Sequence, residues 1–171
     1  DSTLLYRLHP LLVDAEDWGG LADSMERLLS CERDAERWWT CAEQLAELYE
    51  ERLDDRNAAI RTWRRLRDSD PTVTTVYEAL ERLVSEGARW RELDELLSNW
   101  QEVSEQPRWM SLQFQRAQLY QDPERLNEPE TALELLIDLL ERDDTHEETA
   151  SALSALQVSS PPHFAAEVFS H

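Results

Sequence analysis

Residues 39–72 read WTCAEQLAELYEERLDDRNAAIRTWRRLRDSDPT. Leu45, Ala46 and Tyr49 on one side of a short polar turn, and Ala59, Trp63 and Leu66 on the other, recur at three- and four-residue steps. That spacing puts them on one face of each of two helices. Asp70-Pro71 closes the segment, because proline cannot continue a helix and restricts the residue before it. A single helix pair of this size cannot bury its apolar face alone, so the segment needs neighbours of its own kind.

The rest of the chain supplies them. With a shift of about 72 residues, Trp18 falls on Trp90 and Leu21 on Leu93, while Leu4, Leu8, Leu11 and Leu12 fall on Val76, Leu80, Leu83 and Val84. Leu-Ala-Glu-Leu-Tyr at 45–49 matches Arg-Ala-Gln-Leu-Tyr at 116–120, and Ala59, Trp63 and Leu66 match Ala132, Leu136 and Leu139. Each block divides again, since Leu45, Ala59 and Trp63 have counterparts in Leu80, Leu93 and Leu97. The elementary unit is one helix hairpin, and its first residues already belong to a repeat, so the chain is expected to be a stretch of a longer array.

This periodicity predicts helices near 3–14, 17–31, 36–53, 57–69, 73–86, 89–103, 107–121, 129–142, 146–157 and 162–170, paired as hairpins near 3–31, 36–69, 73–103, 107–142 and 146–170. Thr75 with Glu78, and Thr145 with Glu148, read as capping boxes. Pro107, Pro129 and Pro162 suit a first helical turn, whereas Pro10 falls inside the first helix and should kink it. Glu86-Gly87 marks a further break.

Composition agrees with an all-α chain. Of 171 residues only three are glycine, and no basic residue is lysine: 17 arginines face 37 carboxylates for a net charge of −20. That charge repels a nucleic-acid backbone unless the arginines segregate, and they are scattered. The arginine-only usage fits a GC-rich bacterial or a haloarchaeal genome. Cys31 and Cys41 lack both a disulfide framework and a zinc spacing, which reads as free thiols in a cytoplasmic protein. No apolar run reaches the ~20 residues of a membrane span, so no direct insertion is expected.

The 39–72 segment resembles a tetratricopeptide repeat (TPR): Leu45, Ala46, Tyr49, Ala59, Trp63 and Pro71 stand where that family places its large, small and turn residues, with one extra residue between the helices. Leu80, Leu83, Trp90, Leu93 and Leu97 repeat the pattern, as do Ala117, Tyr120, Ala132 and Leu136 after a turn lengthened around Pro123. The resemblance spans nearly the whole chain and implies a right-handed α–α superhelix of about five antiparallel hairpins. It also implies that the first helix of each pair lines a concave side, exposing Tyr6; Thr40, Glu43, Glu47 and Glu50; Thr75, Glu78 and Arg82; and Ser111, Phe114, Gln118 and Gln121. The middle of this stripe is acidic, which favours a partner peptide or helix bearing Arg or Lys. Family members that clamp a C-terminal carboxylate place Lys, Arg and Asn here, and Glu43 and Glu47 depart from that pattern.

Other readings weigh less. Trp18, Trp63 and Trp90 occupy packing positions and are expected in the core. Trp38 and Trp39, adjacent on a helix, cannot share one buried face, so one of them, or Phe114, is the expected exposed aromatic. Asp143, Asp144, His146, Glu147 and Glu148 look like metal ligands but sit at a helix start, where carboxylates cap. His9, His146, His163 and His171 share no ligand spacing, and no nucleophile stands beside a base. No catalytic residue, metal site or cofactor is expected. The chain reads as a protein-interaction scaffold; a structural spacer with self-association, or the regulatory part of a longer enzyme, are its alternatives.

Overall fold

The structure, a computed structural model, describes residues 2–142 together with 149, 151 and 152. These form eight helices and, among the described residues, no strand: α1 Ser2–Asp14, α2 Trp18–Cys31, α3 Ala35–Glu51, α4 Arg56–Ser69, α5 Thr74–Glu86, α6 Trp90–Glu102, α7 Gln106–Gln121 and α8 Pro129–Arg142. Every end lies within two residues of the sequence expectation. The helices expected from 146 onward, the Thr145 capping box, Pro162 and the acidic group at 143–148 lie outside the described residues, apart from the three named above.

The chain divides into two compact units, one up to Leu83 and one from Val84. In the first, α1 packs on α2, α2 on α3 and α3 on α4; in the second, α6 packs on α7 and α7 on α8. The division falls within α5, so the hairpin expected at 73–103 spans it.

The four turns that lead into the second helix of a pair share a backbone device. Glu16, Asp54, Ala88 and Asn127, each two residues before α2, α4, α6 and α8, have positive φ between 50° and 53°. None is glycine, and a non-glycine residue in this region costs on the order of 1–2 kcal/mol. At the Glu86-Gly87 break the left-handed residue is thus Ala88, next to the glycine.

Caps also differ from expectation. Thr75 lies inside α5, past its start at Thr74, and does not cap it. Aspartates cap instead: Asp17, Asp34 and Asp55 accept the N–H groups of Gly20, Arg37 and Ala58, each at 2.9 Å, meeting an orphan donor at the start of α2, α3 and α4. At Gly20 a Cβ would stand 2.5 Å from Asp17 Oδ2, so a larger residue there would require the Asp17 carboxylate to turn, as the carboxylates do at Arg37 and Ala58.

The core follows the repeat. Leu28, Leu45, Ala46, Ala59 and Leu66 in the first unit, and Leu97, Ala117, Leu119, Ala132, Leu136 and Leu139 in the second, are essentially closed to solvent. Trp63 and Trp100 are buried, but Trp18 and Trp90 are only half-buried, which corrects their assignment to the core. Their likeness survives in another form. Each opens its helix, and each carries an arginine over the indole, Arg52 at 5.0 Å from Trp18 and Arg125 at 4.9 Å from Trp90. The arginines occupy matching places, after α3 and after α7. Stacked guanidinium and indole cover each other while both keep a wet edge.

Candidate functional site

In the first unit a groove of about 720 Å³ is lined by Tyr6 and His9 of α1, by Glu36, Arg37, Thr40, Cys41 and Gln44 of α3, and by Asp34 just before α3. Tyr6 and Thr40 are two of the residues expected to face a ligand. They reach this groove because Tyr6 and His9 are three apart on one helix, and Arg37, Thr40, Cys41 and Gln44 follow at three- and four-residue steps on the other.

Glu32, just past α2, fixes the α1 side to the α2–α3 turn. Its Oε1 accepts the N–H groups of Arg33 and Asp34 at 2.9 and 3.1 Å, and its Oε2 accepts the Tyr6 hydroxyl at 3.1 Å. The Asp34 N–H, chiefly, holds the Glu32 carboxyl below its usual range. Burial first, and then the Glu32 carboxylate, push the Tyr6 phenol above its ordinary value. The Tyr6 and His9 rings meet edge to face at 6.0 Å.

His9 is the uncommon member of this lining. Its Nε2 is buried and makes no hydrogen bond among the described residues. Burial depresses its basicity below the ordinary 6.5, so the ring is neutral at physiological pH. Pro10, which lies within α1, supplies no N–H to the Tyr6 carbonyl one turn earlier. A buried polar atom without a partner costs on the order of 1–3 kcal/mol, so a group that met it would recover part of that cost. Cys41 at the groove floor is chemically quiet. Its thiol lies 4.0 Å from the Met25 carbonyl, and burial with nearby Glu26 and Glu32 pushes its pKa up to about 11.

Beyond Thr40 the same face of α3 continues through Glu43, Glu47 and Glu50. Glu50 is already engaged: it accepts the Trp63 indole N–H at 2.7 Å and pairs with Arg82 at 2.5 Å. This pairing also accounts for Arg82, the one cation of the expected stripe. The Glu43 and Glu47 carboxylates make no hydrogen bond or ion pair among the described residues; Glu47 is exposed and Glu43 half-buried. Thr75 and Glu78 are exposed on α5.

The α7 members of the stripe lie in the second unit. Ser111 and Gln118 are exposed, and the Ser111 hydroxyl returns to the Pro107 carbonyl at 3.3 Å. Gln121 donates to the Ala152 carbonyl at 3.4 Å. Phe114 is not the exposed aromatic that the sequence suggested, because it packs against the cluster of Ala117, Tyr120, Ala132 and Leu136. Trp38 and Trp39 are each half-buried, and the Trp38 indole donates to the Leu29 carbonyl at 3.1 Å. Among the described residues it is Tyr6 that is the exposed aromatic.

A second pocket, of about 470 Å³, gathers Arg89, Arg91 and Arg125 around Trp90. Its cations are spent internally: Arg91 pairs with Glu128, Arg125 with Asp122 at 2.9 Å, and Arg89 with Glu92 at 3.6 Å. Among the described residues, no three His, Cys, Asp or Glu side chains gather to hold a metal, and no helix is long and apolar enough to cross a membrane. Cys31 and Cys41 are free thiols, the first exposed and the second buried.

His9, Arg37 and Gln44 were missed by sequence reasoning, which weighed histidines only as metal ligands. The spacing of His9 three residues after Tyr6 is the signal that places it on the same face.

No protein-family profile matches the chain, and no curated protein is significantly similar to it. Among solved structures, the crystal structure of MamA superposes with a TM-score of 0.50 at 11% identity, over 89% of this chain and 84% of that one. TTC0263, a thermophilic TPR protein of Thermus thermophilus, gives a TM-score of 0.42 at 22% identity, over 93% of this chain and 82% of that one. At 11% identity the likeness to MamA is one of fold.

Proposed function

The fold is a tetratricopeptide-like helical repeat, and we propose that its α1–α3 groove is the partner-binding surface of a non-catalytic interaction scaffold. The partner is a peptide or helix carrying Arg or Lys. One observation carries this reading. Of the acidic residues on the α3 face, Glu50 is consumed by Trp63 and Arg82, whereas Glu43 and Glu47 stand unengaged beside a groove whose His9 has a buried nitrogen to satisfy. Two unpaired carboxylates one helical turn apart favour a cation that spans them and disfavour acidic partners. The apolar edges of Tyr6 and His9 give the ligand's aliphatic stem a surface to lie on.

The experiment compares two double variants of equal net charge, Glu43→Arg/Glu47→Arg and Glu95→Arg/Glu102→Arg. Binding of fluorescein-labelled octa-arginine is followed by anisotropy at low and high salt. The reading expects the α3 variant to weaken binding about tenfold relative to the α6 variant, with the wild-type affinity falling steeply as salt screens the exposed pair. Equal weakening by both variants would mean that the probe senses only the bulk charge of −20, and the groove would lose its role.

A further inference from the structure

Arginine stacked on an aromatic ring recurs along this chain. Besides the pairs at Trp18 and Trp90, the Arg65 guanidinium stands 5.9 Å from the centre of the Trp38 ring, Arg108 4.7 Å from Trp100 and Arg142 4.0 Å from Trp109. The sixth pair is the most informative. The Tyr120 hydroxyl donates to Asp94 Oδ2 at 2.7 Å, and Arg91 stands 5.9 Å from the centre of that ring while pairing with the Glu128 carboxylate. One carboxylate thus holds the tyrosine hydroxyl, and a second binds the guanidinium on its ring.

Tyr6 repeats the first half of that arrangement. Its hydroxyl donates to Glu32 Oε2 at 3.1 Å and its ring meets His9 edge to face, so the ring is held at its tip and at its side. A phenol that donates to a carboxylate gains electron density on its ring, which strengthens the ring's attraction for a cation. Yet Tyr6 is 36% exposed, and among the described residues no arginine lies over it. The groove supplies the second carboxylate as well: Glu36 is exposed in its lining and makes no side-chain hydrogen bond or ion pair among the described residues. Arg37, the groove's own cation, stands among Glu32, Asp34 and Glu36, which outnumber it. Successive residues turn by ~100° around a helix. Tyr6 therefore lies roughly opposite Leu4, Leu8 and Leu11, and a helix packed on those leucines would leave the groove open.

We propose that the groove selects arginine over lysine: a guanidinium of the partner lies on the exposed face of Tyr6, as Arg91 lies on Tyr120, and pairs with Glu36 as Arg91 pairs with Glu128. The inference rests on the groove being the partner surface and narrows its ligand from any basic side chain to one kind. A guanidinium is planar, weakly hydrated and carries five N–H donors, so it lies flat on a ring and still reaches a carboxylate with its edge. A lysine ammonium is a strongly hydrated point charge and must give up water for the same contact.

Fluorescein-labelled octa-arginine and octa-lysine carry the same side-chain charge, so the ratio of their affinities for the whole chain cancels bulk attraction. Anisotropy should show octa-arginine binding the wild type about fivefold more tightly than octa-lysine. Tyr6→Leu should bring that ratio to within about twofold, whereas Tyr6→Phe, which keeps the ring, should retain most of it. Glu36→Gln should weaken octa-arginine about threefold and octa-lysine less. Tyr6 is partly exposed, so its variants keep their fold, as circular dichroism checks. In the wild type itself, the Tyr6 ring protons should shift further with octa-arginine than with octa-lysine, a readout that needs no variant.

Equal affinities of the two peptides for the wild type overturn the inference. So does a ratio that survives Tyr6→Leu, because the advantage of arginine then arises elsewhere on the acidic surface. The two readings fail separately. If Glu43→Arg/Glu47→Arg weakens both peptides while their wild-type ratio is one, the groove stands and its selectivity falls. If that variant weakens binding no more than Glu95→Arg/Glu102→Arg, the groove itself falls and takes the selectivity with it.

Discussion

The α2–α3 seam of the first unit and the α6–α7 seam of the second join the same kinds of helix, and they are built from opposite chemistry. Across α2–α3 the buried groups are mostly apolar, Met25, Leu28, Leu29, Ala42 and Leu45, with two weak polar touches, a thiol and an indole N–H, each on a carbonyl. Across α6–α7 runs a polar network. Asp94 accepts the Arg116 guanidinium and the Tyr120 hydroxyl, both at 2.7 Å; Gln101 bonds Gln113 and Arg116, both at 2.8 Å; and Gln113 reaches Asp138 of α8 at 3.0 Å. One fold position thus accepts either solution. The apolar seam tolerates change, while the polar one depends on every member being present, because removal of one strands the others in a medium poor in water.

Deleting the hub of each seam should expose this difference most. Asp94→Ala leaves the Arg116 charge and the Tyr120 hydroxyl without their acceptor, and a loss of about 3 kcal/mol is expected, at the low end for buried pairs because both charged side chains keep some solvent contact. Cys41→Ala removes one sulfur from the apolar seam and should cost about 1 kcal/mol. Urea denaturation of both variants measures the two losses, and equal values would erase the distinction.

Alkaline titration sharpens the contrast. Burial, chiefly, raises Cys41 from 9.0 to about 11, and raises Tyr120 above 10.0 with help from its hydrogen bond to Asp94. Above each ordinary value the unfolded chain releases a proton that the folded chain keeps. Stability therefore falls as pH climbs past 9, through Cys41, and falls further past 10, through Tyr120. In Cys41→Ala the decline should begin about one pH unit later, as followed by thermal midpoints across that range.

The smallest expected effect concerns what the two units share. Arg52→Lys and Arg125→Lys each give up the planar stacking on Trp18 and Trp90, and each should cost about 0.5 kcal/mol. Indole fluorescence and melting temperature should report matching changes for the pair. A large cost for one alone would show that the equivalence of these two sites is only positional.

How far the sequence could be read follows from how local each feature is. Helix positions depend on residues three and four apart, so all eight described helices were legible to within two residues. The Trp18–Trp90 correspondence was legible for the same reason, although their half-exposure was not. It depends on Arg52 and Arg125, which arrive from the far end of the following helix. The aspartate caps were not foreseen, because a Ser/Thr box has a signature at two positions and Asp17, Asp34 and Asp55 offer the same acceptor chemistry at one.

Within the proposed site, Tyr6, Thr40, Glu43 and Glu47 were expected only through the resemblance to tetratricopeptide repeats, which puts them on the exposed stripe of the first helix of a pair. The capture of Glu50 by Arg82 was not, being a contact 32 residues apart. The α6–α7 network was equally hidden, since Gln101 and Gln113 look like surface residues until two helices are brought together.

The most direct test of the scaffold reading is a heteronuclear NMR titration of the whole chain with octa-arginine, following backbone amides and the His9 imidazole. The account predicts that the largest shifts gather at Tyr6, His9, Thr40, Glu43, Gln44 and Glu47, with the His9 ring, neutral in the free protein, changing its environment as the peptide binds. Shifts spread evenly over the acidic surface, with His9 unmoved, would contradict it.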